Sequence, residues 1–263
     1  MTTLAADQPA TARVASSAPR AINVLRLHLT NKWTTLGTPL LILTFIFAVN
    51  YVIWLLIYTS TPEAARTAAG GNQYVEGTQY SGSTFYIFIY MLVIAIQVVL
   101  RTFPFALGFS ITRRDFYLGT ALLFGVLAAI YSVILTIMSY IEEATTGWGL
   151  GGHMFSTVWF GTGSLGQRLS SEFFAFLFFF FVGAAISTVY LRWRATGMIV
   201  LWGSIVLIGV AAAALITFAN GWPAVGTWFL NAGVYGVVLW SLVITVISAF
   251  FGFRILRRAT PVN

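Results

Sequence analysis

Residues 110–119 read SITRRDFYLG and set Arg113, Arg114 and Asp115 side by side. Charged residues make up only 8% of the chain, against about a quarter in soluble proteins, so the triplet stands out, and the chemistry open to it is recognition. A guanidinium offers forked hydrogen bonds to a carboxylate or phosphate. Thr112 and Asp115 have the spacing of a capping box, in which a hydroxyl and an acid three residues on satisfy the unpaired N–H groups of a helix start. Phe116 and Tyr117 give the segment an apolar, anchoring side. The plainer reading of Arg113 and Arg114 is topological, since positive residues hold a short loop on the inner face of a membrane.

Other reactive constellations fail on spacing or context. GTGSLG (residues 161–166) matches G-x-G-x-x-G, but a dinucleotide site needs a strand before it, a helix after it and an acid about 20 residues on. Here it falls in a loop between apolar runs. The two histidines, His28 and His153, are expected on opposite sides of the membrane, which argues against a haem or histidine metal site within one chain. No serine has an evident basic partner, and with no cysteine there is neither a catalytic thiol nor a disulfide framework. Neither a catalytic residue nor a metal site is therefore expected.

The elements that must position these residues are membrane helices. The chain of 263 residues is 59% hydrophobic, its mean hydropathy is +0.87, and several apolar runs reach the roughly 20 residues that cross a 30 Å hydrocarbon core. The fold expected is an all-α integral membrane protein with six transmembrane helices, at about 39–59, 84–107, 118–140, 173–191, 197–218 and 231–253. Before them come a disordered tail, 1–18, rich in Ala, Thr, Ser and Pro, and an amphipathic interfacial helix, 19–34, with Ile22, Leu25, Leu29 and Trp33 on one face. Residues 35–258 form the six-span domain, and 259–263 are a cytoplasmic tail. The net charge of +7 reflects clusters at the ends of apolar runs and not a nucleic-acid surface. Arg13, Arg20, Arg26, Lys32, Arg113, Arg114, Arg192, Arg194, Arg254, Arg257 and Arg258 fall on one side, against Arg66 and Arg168 on the other. The positive-inside rule then sets both termini in the cytoplasm of a multi-pass protein of the cell membrane. Glu63, Glu76, Glu142, Glu143 and Glu172 fall outside the spans or at their outer boundary, the last three in an outer loop, 141–172, rich in Gly and aromatics.

Within the spans, Tyr86, Tyr90, Gln97 and Arg101 recur at helical spacing, interrupted by Ile94. This polar and aromatic stripe must face protein or water, because hydrocarbon cannot satisfy its polar groups. Simple interhelical hydrogen bonding would also explain it. Arg101 lies roughly 25 Å from the outer end at 1.5 Å per residue and can snorkel to the inner headgroups. Asn50 is the polar residue of the first span.

FALGFSITRRDFYLG, between the second and third spans, resembles the type 2 permease subunits of ATP-binding-cassette exporters. These carry a Gly, a hydroxyl residue, paired basics, an acid and an aromatic at this place. The layout of six spans after an amphipathic helix extends the resemblance over the whole chain. It implies that 110–119 is a coupling helix, with Thr112, Arg113, Arg114, Asp115, Phe116 and Tyr117 seated on a separate nucleotide-binding ATPase subunit that holds ATP and Mg. It also implies a second permease copy or homologue, and a pathway between the two lined largely by the second and fifth spans. Asn50, Tyr86, Tyr90 and Gln97 are the candidate pathway residues. Independently of that likeness, the one lysine, Lys32, is followed by Trp33, so no G-x-x-x-x-G-K-[ST] loop exists to hold a nucleotide. The function expected is a non-catalytic permease subunit exporting an amphipathic or hydrophobic substrate such as a drug, lipid or peptide. The rivals are a stand-alone six-span secondary transporter, against which the lack of Asp, Glu or Lys deep in any span counts, and a structural membrane protein.

Overall fold

The computed structural model describes Ile22, Leu25 and residues 33–67, 75–109 and 111–258. The two expected tails, 1–18 and 259–263, most of the interfacial helix 19–34 and Ser110 lie outside the described residues.

A short wide turn of helix, Trp33–Gly37, leads into α1, Thr38–Ser60. The small α2, Glu63–Thr67, follows, then α3, Phe85–Gly108, α4, Arg113–Ala144, α5, Leu165–Phe218, and α6, Trp222–Arg258. Among the described residues there is no β-strand, only an isolated bridge between Thr157 and Phe160. Among the described residues five helices are long and apolar enough to cross a membrane: Thr35–Ser60, Glu76–Gly108, Arg113–Ala144, Leu165–Phe218 and Trp222–Arg258.

Where the sequence predicts a fourth and a fifth span separated by a loop, the structure has one helical run of 54 residues. At 1.5 Å per residue it would extend about 81 Å if straight, but it is broken at Arg194, which takes φ 54°, ψ −143°. Gly197 returns so close to the preceding segment that a Cβ on it would stand 2.5 Å from Trp193 Cβ and 3.2 Å from Val189 Cγ1. Eight residues span about 12 Å along an unbroken helix, so the axis bends sharply at this one residue, with helix on either side and no loop. α6 carries a comparable break at Gly233, φ 59°, where the missing side chain makes the left-handed region accessible. The third expected span begins at Arg113 and runs on to Ala144, and α5 starts at Leu165, so the loop between them shrinks to 145–164. Pro104 sits inside α3, which continues past it to Gly108.

The core lies between α3, α4 and the first half of α5. Ile87, Phe88, Met91, Leu127, Phe176 and Phe180 are essentially sealed from solvent. Phe124 and Phe180 stack at 4.9 Å with their planes 3° apart, and Phe88 meets Phe176 at 4.6 Å. Two regions contribute little to this core. α1 buries only Pro39, Leu43 and Trp54, and the half of α5 beyond Arg194 is exposed along most of its length. Apolar helical faces that contact no protein are what helices present to lipid.

Candidate functional site

The two ends of the bundle differ. At one, the start of α4, the end of α3 and the end of α6 are tied together. Thr112 is the N-cap residue of α4 (φ −70°, ψ 149°), and its Oγ1 accepts the Asp115 N–H at 3.1 Å. Asp115 itself is buried. Phe116 is fully enclosed by Phe103, Ala106 and Leu256, with its ring 5.3 Å from that of Phe103. The Tyr117 hydroxyl donates to the Ala249 carbonyl at 2.6 Å, and its ring packs on Phe253. Arg113 reaches across to donate to the Arg257 carbonyl at 2.8 Å. Of the six residues singled out for docking, only Thr112 and Arg114 are exposed, and Thr112 is engaged as the cap. The exposed side chains here therefore include Arg114 with Leu118, Phe105 on α3 and Phe109 just past its end. Nor is 110–119 a separate helix. Nothing after Asp115 breaks the backbone pattern, so residues 113–119 form the opening turns of the 32-residue α4.

At the opposite end residues 145–164 fold into a cap around a carboxylate that the sequence put at the outer boundary. Glu142 has no solvent exposure. Its two oxygens accept from the N–H groups of Met154, Phe155 and Ser156 at 2.8–3.2 Å. They also accept from Ser156 Oγ at 2.6 Å and from Trp148 Nε1 at 2.9 Å. Next to it Arg168 pairs with Glu143 at 2.6 Å, donates to Ser139 Oγ and the Gly163 carbonyl, and lies over the Tyr140 ring. Glu172, one helical turn beyond Arg168, is buried as well and accepts from Thr136 Oγ1 at 3.1 Å. The cap also grips the rest of the chain. Gly152 packs against Trp54 so tightly that a Cβ would approach its ring to 2.2 Å, Phe47 meets Trp148 at 4.8 Å, and the Thr84 hydroxyl donates to the Met154 carbonyl.

Two sequence readings change here. Ser156 does have a basic partner, His153 Nδ1 at 3.0 Å, but the order is wrong for acyl transfer. The hydroxyl donates its proton to Glu142 and can only accept from the imidazole, whereas a serine nucleophile must give its proton to histidine. GTGSLG is a turn and a helix start: Gly161 and Gly163 take φ 79° and 92°, and Ser164 and Gln167 form a reciprocal capping box at the head of α5. A Cβ at Gly161 would fall 2.0 Å from the Phe155 carbonyl oxygen, so its close approach serves the loop's own packing.

The stripe on α3 is half-buried at Tyr86, Tyr90 and Gln97 and exposed at Arg101. Tyr86 and Tyr90 lie 5.6 Å apart, ring to ring. The Tyr86 hydroxyl is buried without a hydrogen-bond partner, an arrangement that leaves it wanting water or a polar ligand. Asn50 donates to the Ile46 carbonyl of its own helix, and no hydrogen bond joins it to the stripe among the described residues. Single cysteines at Asn50, Tyr86, Tyr90 and Gln97, in a chain that has none of its own, test what this face meets. Small water-soluble thiol reagents should label at least one α3 position in native membranes, while lipid-soluble reagents label them poorly. Equal labelling of all four from the lipid phase would contradict a polar pathway.

No protein-family model, no curated protein and no solved structure matches the chain.

Proposed function

We propose that the chain is the membrane-spanning permease subunit of an ATP-binding-cassette exporter, driven by a separate ATPase and exporting an amphipathic or hydrophobic substrate. The observation that carries this reading is the tie at the start of α4. A helix capped by Thr112 holds Arg114 outward, while Arg113, Phe116 and Tyr117 bind its first turns to the ends of α3 and α6. A push on Arg114 therefore reaches three helices at once, which is what a coupling element between an ATPase and a pathway requires. In this reading α5 crosses the membrane twice, once on each side of the break at Arg194, for six crossings in all. The arginine-rich end then faces the cytoplasm by the positive-inside rule, and the Glu142 cap faces outward. The absent P-loop lysine assigns hydrolysis to a partner chain, and the exposed apolar faces of α1 and of α5 beyond Arg194 suit lipid or a second permease.

The test is purification of the tagged chain from its native membranes. It should bring down a P-loop ATPase, and the pure chain should hydrolyse no ATP. Arg114→Glu should insert normally yet abolish substrate-stimulated hydrolysis by the complex, and Arg114→Lys should lower it, because an ammonium lacks the planar fork. ATP hydrolysis or full transport by the isolated chain would overturn the assignment.

One observation favours a second reading. Glu172 is a buried acid within a membrane helix, the kind of group through which ion-coupled transporters work. Under that reading Glu172→Gln would abolish uptake driven by a proton gradient in vesicles holding this chain alone. Under the exporter reading such vesicles transport nothing.

A further inference from the structure

At the arginine-rich end, α5 and α6 line an open, shallow pocket of about 410 Å³ between the break at Arg194 and the last turns of α6. Three arginines line it, Arg192 from α5 and Arg254 and Arg258 from α6, and between them stand Trp193, Phe250 and Phe251. No acid lines the pocket, and none of the three arginines pairs with a carboxylate among the described residues. Arg192 lies over the Trp193 ring and Arg254 over the Phe250 ring, both at 4.8 Å. Stacking of this kind fixes a guanidinium by its face and leaves its N–H edge available for an anion.

The three arginines are exposed, so their mutual repulsion is weakened by water, and an anion bound among them removes what remains of it. The favourable effect of cations at a helix C-terminus accounts for Arg258 alone. It does not account for Arg192, which arrives from another helix. The aromatic walls supply the other half of the chemistry. Trp193, Phe250 and Phe251 are 48%, 52% and 57% exposed, and on α6 they continue into the exposed apolar residues Val243, Ile244 and Ile247. The pocket thus sets exposed arginines beside aromatic rings, and it opens onto the exposed apolar face of α6.

We propose that this pocket binds the phosphate headgroup of an anionic phospholipid, with the acyl chains lying along Phe250, Phe251 and the apolar face of α6. Clustered basic residues at a membrane boundary recognise such headgroups, while the aromatic sides distinguish a lipid from free phosphate. The inference requires only that these helices cross a membrane and is independent of the exporter reading.

The experiment is native mass spectrometry of the full chain in detergent, titrated separately with dioleoyl phosphatidylglycerol, dioleoyl phosphatidylcholine and glycerol 3-phosphate. Phosphatidylglycerol should bind about tenfold or more tightly than either of the others and weaken as salt is added. Arg192→Gln, Arg254→Gln and Arg258→Gln should each weaken it roughly fivefold and leave phosphatidylcholine unaffected, while Arg254→Lys keeps most of the affinity. Arg101→Gln, an exposed arginine outside the pocket, should change it little. Equal affinity for the two lipids in the unsubstituted chain would overturn the proposal, so the result does not depend on any variant folding. Glycerol 3-phosphate binding as tightly as phosphatidylglycerol would instead make this a free-phosphate site and would equally overturn it. So would glutamine variants that keep lipid affinity but lose a co-purifying protein, since the pocket would then be a protein contact.

Discussion

Glu142→Ala should release the whole of residues 145–164 and with them the anchorage of α1. Five donors converge on this carboxylate, three of them main-chain N–H groups that have no side chain to reorient. Each buried donor left without an acceptor costs about 1–3 kcal/mol. Their costs overlap, because the freed loop can reach water, and a total of roughly 3–5 kcal/mol is expected. Glu142→Gln should recover little, since its amide turns a donor toward donors. Glu143→Ala next door is the control. Its partner Arg168 is buried but keeps Ser139 Oγ, the Gly163 carbonyl and the Tyr140 ring when Glu143 is removed, so a smaller loss than at Glu142 is expected. Thermal unfolding of the detergent-solubilised chain, with proteolysis between 145 and 164, reads the outcome. A Glu142→Ala protein that melts with the unsubstituted chain and resists cleavage equally would show that the cap does not depend on this residue.

Gly183→Leu should prevent α3 and α5 from packing. A Cβ at Gly183 would lie 2.6 Å from the Leu92 carbonyl oxygen and 3.1 Å from Ala95 Cβ. The obstacle is main chain, so no rotamer change relieves it. Overpacking by a single methyl costs typically 1–3 kcal/mol, and a leucine more, enough to abolish the folded state of a marginally stable bundle. Gly203 and Gly209 offer the contrast, because a Cβ at either meets nothing within 4 Å. Gly203→Leu and Gly209→Leu should therefore fold as the unsubstituted chain does, judged by yield and a single symmetrical peak on size exclusion. If all three variants behaved alike, the close α3–α5 contact would be wrong.

The contrast also marks where sequence reading stops. Gly183 with Ser187 and Gly209 with Ala213 have the same small-residue spacing, and only the placement of α3 against α5 makes one pair a contact and leaves the other open. Apolar runs reveal membrane helices because hydrocarbon imposes both length and composition. The Thr112–Asp115 spacing points to a helix start because capping is local. Glu142 could not be found this way: its partners are mainly backbone N–H groups, which every residue but proline possesses. Glu172 reads as an outer-boundary residue because the apolar run is expected from 173, whereas α5 begins two turns earlier at Leu165, so an acid read as flanking the helix lies within it. At Arg194 the charges of LRWRAT suggested a loop, whereas a single left-handed residue suffices to bend the chain. Phe116 and Tyr117 read as an anchoring surface because nothing in their neighbourhood announces that α6 returns to cover them.

The cap around Glu142 has a mechanical consequence. Backbone donors, the Arg168 pairing and the Trp54–Gly152 contact make one end of the bundle a clamp, whereas its other end is joined by a few hydrogen bonds and one small apolar cluster. α4 runs between them for 32 residues, about 48 Å at 1.5 Å per residue. A rod held at one end answers a sideways load at the other by pivoting, and a 1 Å shift at Thr112 is a tilt of only about 1° over that length. Side chains near the fulcrum then move by tenths of an ångström and keep their packing. Displacement grows linearly toward the arginine-rich end, so a load applied there opens a wedge, widest at the loaded end and narrowing to nothing at the clamp.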